Sequence, residues 1–69
     1  MSPTLFKSLM QGTVSWYNAI MGTSLEYTPR LNKLKVNGRV IICTEQLRQQ
    51  LLSEAILTYN SLIPSGGEQ

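Results

Sequence analysis

Asn37-Gly38 stands between two strand-like runs, Leu31 to Val36 and Arg39 to Cys43. Asn-Gly is the strongest short signal for a two-residue hairpin, because a type I′ turn needs positive φ at both central residues. The turn fixes register. Val36 faces Arg39, Lys35 faces Val40, Leu34 faces Ile41, Lys33 faces Ile42 and Asn32 faces Cys43. Residues directly opposite share a side of the sheet. One face therefore carries Leu34, Val36, Ile41 and Cys43, with Asn32 and Arg39 at its ends, and helices should pack there. The other face carries Lys33, Lys35, Val40 and Ile42, with Leu31 nearby. Two β-branched apolar residues beside two lysines read as a contact surface. The plainer alternative is a wet face on which lysine stems cover the apolar side chains.

Helical patterns flank the hairpin. Ser2-Pro3 suits a helix start, with Ser2 as N-cap and Pro3 at the first helical position. Leu5, Phe6, Leu9, Met10, Val14, Tyr17, Ile20 and Met21 then follow the helical period, and Gly22 is placed to end it. This predicts a helix from Pro3 to Met21. Gly12 lies inside it, and Thr13 to Tyr17 is rich in strand formers. The alternative is a short helix to Gln11 and a strand from Thr13 to Ile20. The single helix is preferred because the spacing continues across the glycine. Leu25 and Tyr27 can add a short edge strand, limited by Pro29. Thr44 is an N-cap candidate for a last helix, with Glu45 in its first turn. Leu47, Leu51, Leu52, Ala55, Ile56, Tyr59, Leu62 and Ile63 form its apolar stripe, and Pro64 stops it. Residues 1–64 read as one compact domain and 65–69 as a flexible tail.

A chain of 69 residues buries only roughly 60% of its unfolded surface and is marginal alone. The usual aids are disulfides, metals or association. The single Cys43 excludes an internal disulfide, and without histidine or aspartate a metal has almost no ligands. Association is the remaining supplement. Charged residues make up 14% of the chain against about 25% in an ordinary domain, which points to surface covered in the working state.

The same inventory argues against catalysis. No histidine is present to act as a base near neutral pH, and Cys43 has no histidine to activate it. The acids are Glu26, Glu45, Glu54 and Glu68, and Glu45 and Glu54 point different ways on one helix. Gly66-Gly67 follows a helix rather than opening one, so it is no phosphate cradle. No cofactor or small-molecule substrate is expected. The longest apolar run, Val40 to Cys43, is four residues, far short of a membrane span, and no secretory signal is evident. A lone cysteine fits a reducing, cytoplasmic setting.

The order helix, hairpin, helix, with an Xaa-Gly turn at Asn37-Gly38, resembles the small head-completion proteins of lambda-like phages. That resemblance is topological and covers about residues 3 to 62; it implies a viral structural part. If Thr13 to Ile20 is a strand, the order becomes helix, three strands, helix, which resembles the double-stranded RNA-binding domains. Pro29-Arg30-Leu31 would then lie where that family has proline, any residue, then an aromatic. The family's basic cluster at the start of the last helix is replaced here by Glu45-Gln46-Leu47-Arg48-Gln49.

The expectation is a small single-domain α+β fold, helix–β-hairpin–helix, with room for one extra short strand. Its expected role is a non-enzymatic protein-interaction module (a regulatory, adaptor or assembly factor), homodimeric or bound to a larger partner. The expected contact residues are Leu31, Lys33, Lys35, Val40 and Ile42, with Trp16 as an anchor. The alternative is nucleic-acid binding through Arg30, Lys33, Lys35 and Arg39, four of the six basic residues, with aromatic side chains stacking on bases.

Overall fold

The structure, a computed structural model, describes residues 2–62. Its elements are α1 (Pro3–Met21), β1 (Glu26–Thr28), β2 (Lys33–Val36), β3 (Arg39–Ile42) and α2 (Glu45–Leu62). The fold is α+β, the hairpin flanked by helices with one extra short strand. The expected stop at Pro64 and the tail of 65–69 lie outside the described residues.

Local chemistry accounts for the ends of α1. Ser2 Oγ accepts from the Leu5 amide at 3.1 Å, and Pro3 occupies the first turn, where no amide donor is needed. Gly22 closes the helix at φ +69°, in the left-handed region, and its amide donates to the Asn18 carbonyl at 2.9 Å. The Asn18 side chain then clamps the connection. Its Oδ1 accepts from Thr23 Oγ1 at 2.8 Å and from the Leu25 amide at 3.0 Å, while its Nδ2 donates to the Leu25 carbonyl at 3.0 Å.

The helix passes through Gly12 without interruption, so the strand alternative for Thr13 to Ile20 is overturned. Strand propensity loses here because Thr13 and Val14 are buried against the core on the Met10 face, and the Thr13 hydroxyl is satisfied by the Leu9 carbonyl at 2.8 Å.

The third strand comes instead from Glu26–Thr28, which pairs antiparallel with β2, giving the order β1-β2-β3. The β2–β3 register is the one the turn dictates, with Asn37 and Gly38 at φ 51° and 82°. Pro29 to Asn32 turn the chain between β1 and β2. There Asn32 holds φ 53° and ties three pieces together. Its Oδ1 accepts from the Tyr27 hydroxyl at 2.7 Å, and its Nδ2 and carbonyl bond the backbone of Cys43, each at 3.0 Å.

Both helices lie on one face of the sheet. Met10, Val14, Leu34, Cys43 and Leu51 form the buried core, ringed by half-buried Phe6, Tyr17, Tyr27, Val36, Ile41 and Leu47. The helices run parallel. Pro3 and Phe6 share a cleft with Thr44 and Glu45 at one end, Tyr17 reaches Glu54, and Trp16 meets Tyr59 toward the other. Only the first part of the α2 stripe is covered: Leu51 and Ala55 are buried, whereas Ile56, Tyr59 and Leu62 are exposed. Ile63 lies outside the described residues.

Candidate interaction surface on the hairpin

The outer face of the sheet is built from two cross-strand rows. Register places Glu26, Lys35 and Val40 in one row and Thr28, Lys33 and Ile42 in the next. Leu31 is exposed in the turn before β2. The expected residues Lys33, Lys35, Val40 and Ile42 therefore do meet on one surface. The lysine stems leave the apolar pair uncovered: Val40 is 57% and Ile42 59% exposed. That is difficult to reconcile with a face whose apolar groups are merely packed under lysines.

Trp16 is not part of this surface. It lies on α1, in the layer behind the opposite face of the sheet, with its ring centroid 6.3 Å from that of Tyr59 and the planes tilted by 52°. It cannot anchor a partner that sits on the outer face of the hairpin.

The alternative basic set also divides. Arg39 is opposite Val36, on the inner side of the sheet, while Lys33 and Lys35 point outward. Arg30 is exposed in the turn. Proximity in sequence grouped these four, but a period-two backbone sends Arg39 to the other face. Glu26 faces Lys35 across β1–β2, so the lysine row also carries an acid. At the start of α2 the only cation is held locally. Arg48 donates to both Glu45 carboxylate oxygens, at 2.7 and 2.9 Å, and Gln49 adds a third bond at 2.7 Å. The Arg48 and Gln49 hydrogen bonds hold the Glu45 carboxyl down at about 2. A phosphate backbone would find no free cluster there.

The open side of β3 is the other feature of this region. In a two-residue hairpin the pair flanking the turn exchanges hydrogen bonds, and the pattern alternates from there. Arg39, Ile41 and Cys43 thus bond inward to β2, a phase fixed by the Cys43 amide donating to the Asn32 carbonyl at 3.0 Å. The backbone groups of Val40 and Ile42 point away from the sheet. No Cα of α2 approaches within 8 Å of β3.

Other polar groups have structural partners. The Tyr17 hydroxyl donates to Glu54 at 3.0 Å; burial, followed by that hydrogen bond, raises its pKa and keeps it neutral. Cys43 is buried, and burial pushes its thiol up. The roles of Asn18 and Asn32 had no sequence signal beyond asparagine's general tolerance of turns. Among the described residues no group of three potential metal ligands comes together, and no helix is long and apolar enough to cross a membrane. No protein-family model matches the chain, and neither a curated protein nor a solved structure is significantly similar to it.

Proposed function

We propose that this chain is a non-enzymatic protein-interaction module, of the regulatory, adaptor or assembly kind, whose contact surface is the outer face of its hairpin. The observation that carries this reading is the pair Val40 and Ile42. Each is more than half exposed, on a sheet face that no other element covers. β-Branched residues left in water on the outer face of an edge strand contribute nothing to the core, whereas a protein surface laid on them would gain their burial. Lys33 and Lys35, on the central strand β2, lie beside this pair on the same face, and Leu31 is exposed in the turn before them. Nucleic-acid binding is the second reading and has less support, because its four cations do not converge.

The test is a photo-reactive residue in place of exposed Thr28, on the same face, in cells that make the protein. Cross-links to polypeptide that disappear with Val40→Asp support the proposal. Cross-links to nucleic acid alone, or none, refute it. Light scattering with a short duplex across a salt series separates the second reading. A complex that dissolves steeply with salt, and whose salt slope becomes shallower when Lys33→Gln and Lys35→Gln are combined, would replace the first reading by the second.

A further inference from the structure

We infer that the partner of the β3 edge is a second copy of this chain, joined by antiparallel β3–β3 pairing about a twofold axis at Ile41 into one continuous six-stranded sheet. This rests on the hairpin being a contact surface and names the occupant of its β3 edge; the outer face itself stays open in the joined sheet.

The edge is unprotected. Natural sheets blunt their edges with proline, outward lysines, bulges or covering elements. β1, the opposite edge, is three residues long, carries Glu26 and runs into Pro29. β3 has none of these devices. Its sequence is Arg-Val-Ile-Ile, its one charge lies on the inner side, and no other backbone group among the described residues bonds to Val40 or Ile42.

The edge is also complementary to itself. A twofold axis at Ile41 sets Val40 of one copy opposite Ile42 of the other. These are the two residues whose backbone groups point outward, so each such pair can exchange both hydrogen bonds. Their side chains then form a cluster of four β-branched residues on the outer face, and the two Ile41 side chains meet on the inner one.

Charge does not oppose this arrangement. The lysine rows of the two copies would lie three strand spacings apart, about 14 Å. That exceeds the screening length of roughly 8 Å at physiological salt, so like charges do not oppose the pairing. Arg39 would face Cys43 of the second copy, with that copy's Glu45 two residues further along. Arg39 has no acidic partner within 4.0 Å among the described residues, and the Glu45 side chain is 47% exposed. Each end of the joint would therefore bring a guanidinium with no acidic partner toward a half-exposed carboxylate that Arg48 and Gln49 already hold, a contact that adds little to the pairing.

The experiment is sedimentation of the full chain over a concentration series, with residue-resolved amide exchange on the same samples. The expected result is a mass that doubles with concentration while the Val40 and Ile42 amides slow by more than about tenfold. Ile42→Lys should abolish both effects and leave the circular dichroism and the protection of the interior Leu34 amide unchanged, since Ile42 is exposed in the single chain. Leu9→Lys, on the helix layer, should leave the dimer intact. A monomer at every concentration overturns the inference, even if Thr28 cross-links a different protein and so sustains the contact-surface reading. A dimer whose Val40 and Ile42 amides exchange as in the monomer, or one broken by Leu9→Lys but not by Ile42→Lys, overturns it as well.

Discussion

Replacing Gly12 by alanine should stabilise this protein. Glycine in a helix interior is about 0.8–1.0 kcal/mol less favourable than alanine, because it loses more backbone freedom on folding. That gain is usually offset where the missing Cβ makes room for a neighbour. Here a Cβ built on Gly12 meets nothing within 4 Å, and the residue is exposed on α1. Nothing opposes the propensity term, so the expected gain is the whole of it, about 1 kcal/mol. For a domain of this size that raises Tm by about 4–8 °C. Urea unfolding of wild type and Gly12→Ala, each at low concentration so that association does not contribute, gives the difference directly. The midpoint should rise with the slope unchanged. A midpoint that stays or falls would mean that α1 is not continuous at Gly12, or that another surface occupies the space beside it. Either outcome would refute the account of the first helix given above.

Asn32→Ala removes the acceptor of Tyr27 and the donor to Cys43 and leaves alanine at φ 53°. About 1 kcal/mol per hydrogen bond and 1–2 for the backbone put the loss near 3 kcal/mol, measurable by urea unfolding, and Asn32→Gly should recover the backbone part. The Glu45 carboxyl titrates at about 2 in the fold against an ordinary 4.5. Between those values the folded chain binds fewer protons than the unfolded one, so the Glu45 contribution is full above about 4.5 and is lost as pH falls toward about 2. Glu45→Gln should flatten the decline of Tm in that window, modestly, because the pair is at the surface. Cys43, 3% exposed, should react with a neutral alkylating agent only on opening of the fold, so its labelling rate should rise with urea in step with the unfolded fraction.

Much of the architecture was legible because single residues decide it. Ser2-Pro3 and Gly22 fix the ends of α1, and Asn37-Gly38 fixes the phase of β2 against β3 and hence which side chains share a face. The short β1 follows from Tyr27 and the limit at Pro29. What was not legible depends on what stands opposite a residue rather than on its spacing. Periodicity grouped Leu51 with Ile56, Tyr59 and Leu62, but only the first of these is buried. Trp16 read as a free anchor because its neighbour Tyr59 is 43 residues away. Arg39 was grouped with the lysines by nearness along the chain, although the register already sends it to the other face. The hydrogen bonds of Asn18 and Asn32 exist only once turns have brought amides and carbonyls around them.

The uneven cover along α2 also governs how the chain comes apart. Beyond Ala55 no described residue of the helix is buried, and Leu57 and Leu62 are 69% and 66% exposed. A helical segment of so few residues is not stable in water by itself. These last turns persist because they continue a docked helix and because Tyr59 rests against Trp16. Their melting requires no rupture of the core, so they should unwind many times for each global unfolding. A protease that cleaves after aromatic residues would then cut first at Tyr59, and the sheet, α1 and the docked half of α2 would survive the cut.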